Sequence, residues 1–167
     1  MYLRELKEKD APLMLEWMHD ESVVKDLQTN FATKTLEDCL GFIRNSIHSA
    51  TDAHFAIAND ADEYMGTVSL KHIENDTAEF AITIRACAMG KGFSAFGMKR
   101  ILEKGLLEMG LKEIYWCVSP DNKRAVRFYD KHGYRRVGVQ TLTPQGYTQE
   151  QQNYFIWYTL TKEDCKP

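Results

Sequence analysis

Along residues 77–85 (TAEFAITIR) apolar and polar side chains alternate, the signature of a half-buried strand. After a short turn at Gly90-Lys91-Gly92 the spacing changes: Met98, Ile101, Leu102, Leu106 and Met109 recur every three to four residues, the buried stripe of a helix that ends near Gly110. Read in the same way, residues 2–6 form a strand, and Asp10 caps a helix running through Trp17 with Pro12 in its first turn. Residues 21–27 add a turn or two, and Thr35-Leu36-Glu37-Asp38 has the form of a capping box ahead of Leu40, Phe42, Ile43 and Ile47 at helical spacing. Strands follow at 54–58 and 64–73, joined by Asn59-Asp60-Ala61-Asp62, and Asn75-Asp76 turns the chain into the 77–85 strand, an antiparallel meander.

Residues 113–118 (EIYWCV) are a compact apolar run, predicting a buried central strand. Ser119-Pro120-Asp121-Asn122 is a turn and helix start, 124–132 the helix, and Gly133 its left-handed stop. Residues 134–142 and 153–160 read as two last strands, with 143–152 a polar connection without pattern, of the kind that borders sites. The order β-α-α-β-β-β-α-β-α-β-β predicts an α/β fold: a mixed sheet of six to seven strands, antiparallel early, a parallel pair in the middle, and about four helices.

Length and composition narrow the function. A chain of 167 residues, 44% hydrophobic and 27% charged, suits one domain over 1–167 with a core of its own. A net charge of −3 offers no general attraction to nucleic acid or anionic membrane, so an anion site must be local. Cys39, Cys87, Cys117 and Cys165 are scattered, without a C-x-x-C pair, which argues against metal or disulfide roles and for thiols in a reducing cytoplasm. The charged start MYLRELKEKD is unlike a signal peptide, and no apolar run reaches membrane-spanning length.

The local anion site is the strand–glycine loop–helix unit. Loop N–H groups and the orphan N–H groups of the helix converge there, the helix dipole adds positive potential, and glycines let a ligand approach the backbone.

That unit, with the segment VSPDNKRAVRFYDKHGY at 118–134, resembles the GNAT superfamily of acetyl-CoA-dependent N-acetyltransferases. The family's loop signature, Gln/Arg-x-x-Gly-x-Gly/Ala, falls on Met89-Gly90-Lys91-Gly92-Phe93-Ser94, with Met89 in place of Gln or Arg and Ser94 in place of the last Gly or Ala. The second stretch matches the family's V-x-x-x-N-x-x-A-x-x-x-Y-x-x-x-G-F at Asn122, Ala125, Tyr129, Gly133 and Tyr134. The resemblance implies acetyl-CoA as co-substrate and no metal. Its pyrophosphate would lie on Met89, Gly90, Lys91, Gly92, Phe93, Ser94 and Ala95, its pantetheine arm along the main chain of Ile82, Thr83 and Ile84, and Asn122 would both cap its own helix and touch the arm. It also implies an amine that attacks the acetyl carbon in a ternary complex, and Tyr129 as the general acid toward the leaving thiolate.

The base stays open between Glu79, on the strand before the loop, and a water or another group. Some relatives carry a carboxylate at the place of Cys117, and His54 and His72 are candidates by residue type only. Acceptor residues are expected over 17–34 and 143–152. The stretch LMLEWMHDESVVKDL resembles the branch of ribosomal-protein and small-molecule N-acetyltransferases, among them enzymes acting on nucleotide-linked amino sugars, although Met18-His19 stands where that branch often has Arg-Asn. Asp20, Glu21 and Asp26 suit a cationic amine. The alternative is a protein of the same fold that binds acetyl-CoA without turnover, as a sensor or interaction module. Residues 154–160 are expected as an edge strand able to pair two copies into a homodimer.

Overall fold

In the computed structural model, which describes residues 1–27 and 29–165, the elements run β1 (Tyr2–Glu5), α1 (Ala11–Met18), α2 (Glu21–Val24), α3 (Leu36–Ser46), β2 (Ala53–Ala58), β3 (Tyr64–Glu74), β4 (Thr77–Ile84), α4 (Phe93–Glu103), β5 (Glu113–Val118), α5 (Lys123–Lys131), β6 (Arg135–Val137), α6 (Gln149–Tyr154) and β7 (Ile156–Thr161). The strands form one sheet in the order β1-β2-β3-β4-β5-β7-β6. All pairings are antiparallel except that of β4 with β5, which lasts for three residues only: Thr77, Ala78 and Glu79 beside Glu113, Ile114 and Tyr115. Beyond it the strands part. Phe80 and Trp116, the next residue on each, meet edge to face at 5.5 Å in the mouth of the wedge.

Alternation along β4 and β5 sends successive side chains to opposite faces. Ala78, Phe80, Ile114 and Trp116 face the main core, closed by Met98, Ile101 and Leu102 of α4 and by Leu106 in the π-helical turn Lys104–Glu108 that follows it. Each fully buried Ile or Leu here contributes about 1.5–3 kcal/mol. The other face carries two separate packings. Met14 and Trp17 of α1 and Cys39 and Ile43 of α3 lie on Ala56 and Tyr64. Tyr115 and Trp157 are covered by Leu142, Tyr147 and Phe155. Between these two lids the sheet is left open over β4.

The carboxyl end of the chain departs from the pattern expected of it. Only Arg135–Val137 pairs as β6; Val139–Thr141 turns as a 3-10 helix, and Ile156, not residue 153, opens β7. The supposedly patternless connection holds α6, started by a capping box in which Thr148 and Gln151 bond each other's main-chain N–H. With the single turn of α2, this raises the helices to six among the described residues. β7 is no edge, since it pairs with β5 on one side and β6 on the other; β1 and β6 are the edges. Asp10 makes no side-chain cap. Its buried carboxylate accepts instead from Arg4 Nη1 and Nη2 at 2.8 and 2.9 Å and from the Lys7 amide at 2.9 Å. No described helix is long and apolar enough to cross a membrane, and no described cluster of side chains has the makings of a metal site.

Candidate active site

The parting of β4 from β5 opens two clefts that meet at Ile82, Thr83, Asn122, Ala125 and Tyr129. The first, of about 720 Å³, runs from the free end of β4 to the glycine loop and is lined by Ile82, Thr83, Ile84, Met89, Gly90, Gly92, Ser94, Ala95 and Asn122. Gly92 sits at φ 87° and is the N-cap of α4, with no side chain to satisfy the helix's first amides. Those amides are left for an anionic ligand. Gly90, at φ 75°, is the second left-handed residue that gives the loop its curl. This uncapped helix start is what a pyrophosphate fits.

Two residues expected at the loop are not part of the cleft wall: Phe93 is buried in the main core and Lys91 is exposed outside the lining. The cations on the wall come from elsewhere, among them Lys25 beside α2 and Lys123, Arg124 and Lys131 of α5. Arg124 Nη1 reaches to 2.9 Å from the sulfur of Met89, the residue standing at the loop's departed position. Asn122 does cap α5, accepting from the Ala125 amide at 3.2 Å, and it lines both clefts.

The second cleft, of about 560 Å³, lies in the gap on the opposite face, between α1–α3 and the segment leading into α6. Trp17, Leu27, Phe31, Phe42 and Phe155 make its apolar walls; Asp26, Asp38, Glu79, Lys34, Lys71 and His54 bring charge or titratable groups. Gln28, inside the expected acceptor stretch, lies outside the described residues. Asp20, half-buried, and Glu21, exposed, stand at the start of α2 and do not line the cleft. His54 is held by Ser69 Oγ at 2.6 Å and packs on Phe42, and burial keeps its imidazole below the ordinary histidine value.

Tyr129 stands where the clefts join, 7% exposed among Trp116, Tyr134, Tyr158 and Phe128. Desolvation in this aromatic nest, reinforced by Tyr158, pushes its phenol well above the ordinary tyrosine value. Glu79, only 3% exposed, lies on the other side of the parting. The Tyr147 hydroxyl donates to Glu79 Oε2 and lies 3.4 Å from Cys117 Sγ. Glu79 Oε1 is buried without a hydrogen-bond donor, while His72 Nε2 stands 3.8 Å away. Burial, then Cys117 and Glu79, drive the Tyr147 phenol far upward. Tyr147 falls in the 143–152 stretch expected to border the acceptor, though nothing in the sequence singled it out, and it directly precedes the Thr148 capping box.

A parallel pair that splays beside a cleft ending on an uncapped helix suits a long anionic ligand, and Tyr129 and Glu79 both line the adjoining cleft. The chain belongs to the GNAT family: the acetyltransferase (GNAT) domain model matches residues 1–135. Membership makes it an N-acetyltransferase with acetyl-CoA as co-substrate. The uncharacterized N-acetyltransferase p20 of Bacillus licheniformis is 22% identical over 142 residues, covering 82% of this chain and 80% of that protein. A spermidine N(1)-acetyltransferase of Vibrio cholerae is 30% identical over 94 residues, which make up 55% of this chain and 54% of the relative. Among solved structures, the V. cholerae spermidine N-acetyltransferase in complex with CoA and spermine superposes with a TM-score of 0.80 at 20% identity, covering 98% of this chain and 96% of that one.

Proposed function

We propose that the protein acetylates a small primary amine by direct attack in a ternary complex, with Glu79 as general base and Tyr129 as general acid. The observation that carries this reading is the placement of the two groups on opposite sides of one opening: both line the second cleft, and Tyr129 also lines the cofactor cleft. Acetyl-CoA supplies an acetyl thioester. Main-chain groups of Ile82, Thr83 and Ile84 and the amides following Gly92 would hold its arm and pyrophosphate, with Asn122 beside them. Glu79 takes a proton from the acceptor's ammonium, directly or through a water, and frees the nitrogen lone pair. As the carbon–nitrogen bond forms and the carbon–sulfur bond breaks, Tyr129 hydrogen-bonds the departing sulfur and gives it a proton. Its upward-shifted pKa keeps the phenol protonated throughout the working range, and the dry surroundings strengthen that bond.

Two features of the wall bear on the acceptor. Three carboxylates, Asp26, Asp38 and Glu79, suit an amine carrying a second positive charge, in keeping with the spermidine acetyltransferases among the relatives. Lys34 and Lys71 favour a second reading, an amine attached to an anionic group, as in a nucleotide-linked amino sugar. Thiol release from acetyl-CoA, measured across polyamines, amino sugars, amino acids and N-terminal peptides, tests both. Fastest turnover with a diamine or polyamine supports the first. A protein that binds CoA and releases thiol with none of them is a sensor or interaction module instead.

A further inference from the structure

Strict alternation along β3 would place Lys71, the cross-strand neighbour of Glu79, on the cleft face and send His72 to the opposite one. The strand does not alternate there. Between Lys71 and Glu74 the register slips, and His72 adopts φ 53°, a left-handed backbone that a non-glycine residue takes up at a cost. Its amide is tied across to Asp52 Oδ1 at 3.0 Å, which holds the bulge in place. The result is that the imidazole comes round to Glu79, with Nε2 at 3.8 Å from Oε1 and the side chain 37% exposed.

Oε1 is one of two buried side-chain polar atoms among the described residues that lack a hydrogen-bond partner. Its sister oxygen is occupied by Tyr147. A buried carboxylate that accepts a proton from the cleft needs a group to pass it to before the next turnover. The remaining groups around Glu79 are Lys71 and His72 on β3, Tyr115 and Cys117 on β5, and Tyr147 in the segment before α6. Tyr115, pushed up to about 12 by burial and then by Glu79, and Tyr147, shifted further still, hold their own protons. Lys71 is a cation and cannot accept one. Around His72 itself stand Glu79, Asp52 and the neighbouring Lys71, with Glu74 two residues on.

Taking Glu79 as the general base, we infer that His72 is its proton outlet. The ammonium proton moves to Glu79, making the carboxylic acid. That acid passes the proton to His72 Nε2, through one bridging water or as the 3.8 Å gap between them closes, restoring the carboxylate and leaving an imidazolium. The imidazolium then loses a proton to bulk water. No oxidant or further reactant is needed, and the relay resets once per turnover. His72 does not line the acceptor cleft, so its effect falls on turnover and not on binding.

The test uses the full chain with spermidine or, if spermidine is not turned over, the fastest amine of the panel. His72→Asn keeps a residue tolerant of the left-handed backbone, and His72→Gly leaves room for a small base. We expect either change to lower steady-state kcat about tenfold with CoA affinity and acceptor KM unchanged. Added imidazole should restore the Gly variant in proportion to its unprotonated fraction. Rates within twofold of the parent at every pH from 6 to 9, or lost rate that imidazole leaves untouched in a variant that still binds CoA, overturn the relay. Glu79→Gln separates the two readings: if it retains full turnover, the base assignment falls and the relay with it; if it is inactive while His72→Asn is not, the relay alone falls. A panel without any turnover removes both.

Discussion

The two clefts are built in opposite ways. At its glycine loop the cofactor cleft presents main chain, the uncapped amides at the start of α4, and residues 22–27 and 121–132 complete its wall. The acceptor cleft is assembled from residues scattered along the chain, from α1 to α3, the middle of β3 and β4, the end of β5 with the start of α5, and the approach to α6. A main-chain site tolerates changes of side chain as long as the backbone keeps its shape, which is how Met89 and Ser94 can stand at signature positions. A side-chain site depends on each residue being held, and here the holding runs through long-range contacts such as Tyr147 to Glu79 and Asp52 to His72.

Tyr129 sits on the border and carries the largest expected effect. Tyr129→Phe removes the donor while keeping the ring in its aromatic nest, so turnover should fall by about 10²–10⁴-fold with CoA affinity within twofold of the parent. Equal losses in both would mean that the ring shapes the cofactor cleft and does no chemistry. The pH behaviour follows from the direction of its shift. A phenol raised above the ordinary value near 10 loses its proton only as pH climbs past that raised value. No alkaline fall in turnover between pH 7 and 10 should therefore trace to Tyr129, and any limb in that window should survive unchanged in shape in the Phe variant's residual activity.

The contrast between the clefts also explains what the sequence disclosed. Loop, helix stop and Asn122 cap are local devices: glycine at positive φ and a side chain bonding an amide three residues on leave marks within a few positions. The antiparallel start of the sheet, the later parallel crossover and the core stripe on α4 were legible from periodicity for the same reason, whereas the place of β7 inside the sheet was not. The acceptor side was not. Glu79 alternates like any strand residue, and nothing in TAEFAITIR says that it will be buried beside a tyrosine 68 positions away. The bulge that turns His72 is marked only by a residue type indifferent to strand or turn. At the other end, the α6 capping box was present in the letters but lay in a polar run without an apolar stripe, so periodicity passed over it.

Next in size is a change to the loop's backbone. Gly92→Ala meets only the Met1 methyl, at 3.7 Å, an ordinary contact. Its cost is the left-handed conformation at φ 87°, about 1–2 kcal/mol for a residue with a Cβ. If the loop keeps its shape, that cost appears as reduced stability; if it relaxes, it appears as CoA affinity weakened by about five- to thirtyfold, readable by calorimetry. Stability and affinity both unchanged would break the claim that main-chain shape makes this site.

The smallest effect belongs to Arg124 of α5, whose guanidinium meets the altered loop position at Met89. Its guanidinium faces a thioether, a weak acceptor that does not satisfy a charged donor, so the cation remains available to phosphate. The side chain is exposed, which keeps its contribution in the range of surface ion pairs, about 0.2–1 kcal/mol. Arg124→Ala should accordingly weaken CoA by about two- to fivefold in low salt, and the difference should shrink as ionic strength rises and screening shortens toward about 8 Å at physiological salt. Gly92→Ala should show no such dependence. An Arg124 variant that loses more affinity than Gly92→Ala, and loses it equally at high salt, would move the grip on phosphate from the backbone to side chains. The loop's departure at Met89 would then be a true exchange, with the lost side chain replaced from the neighbouring helix.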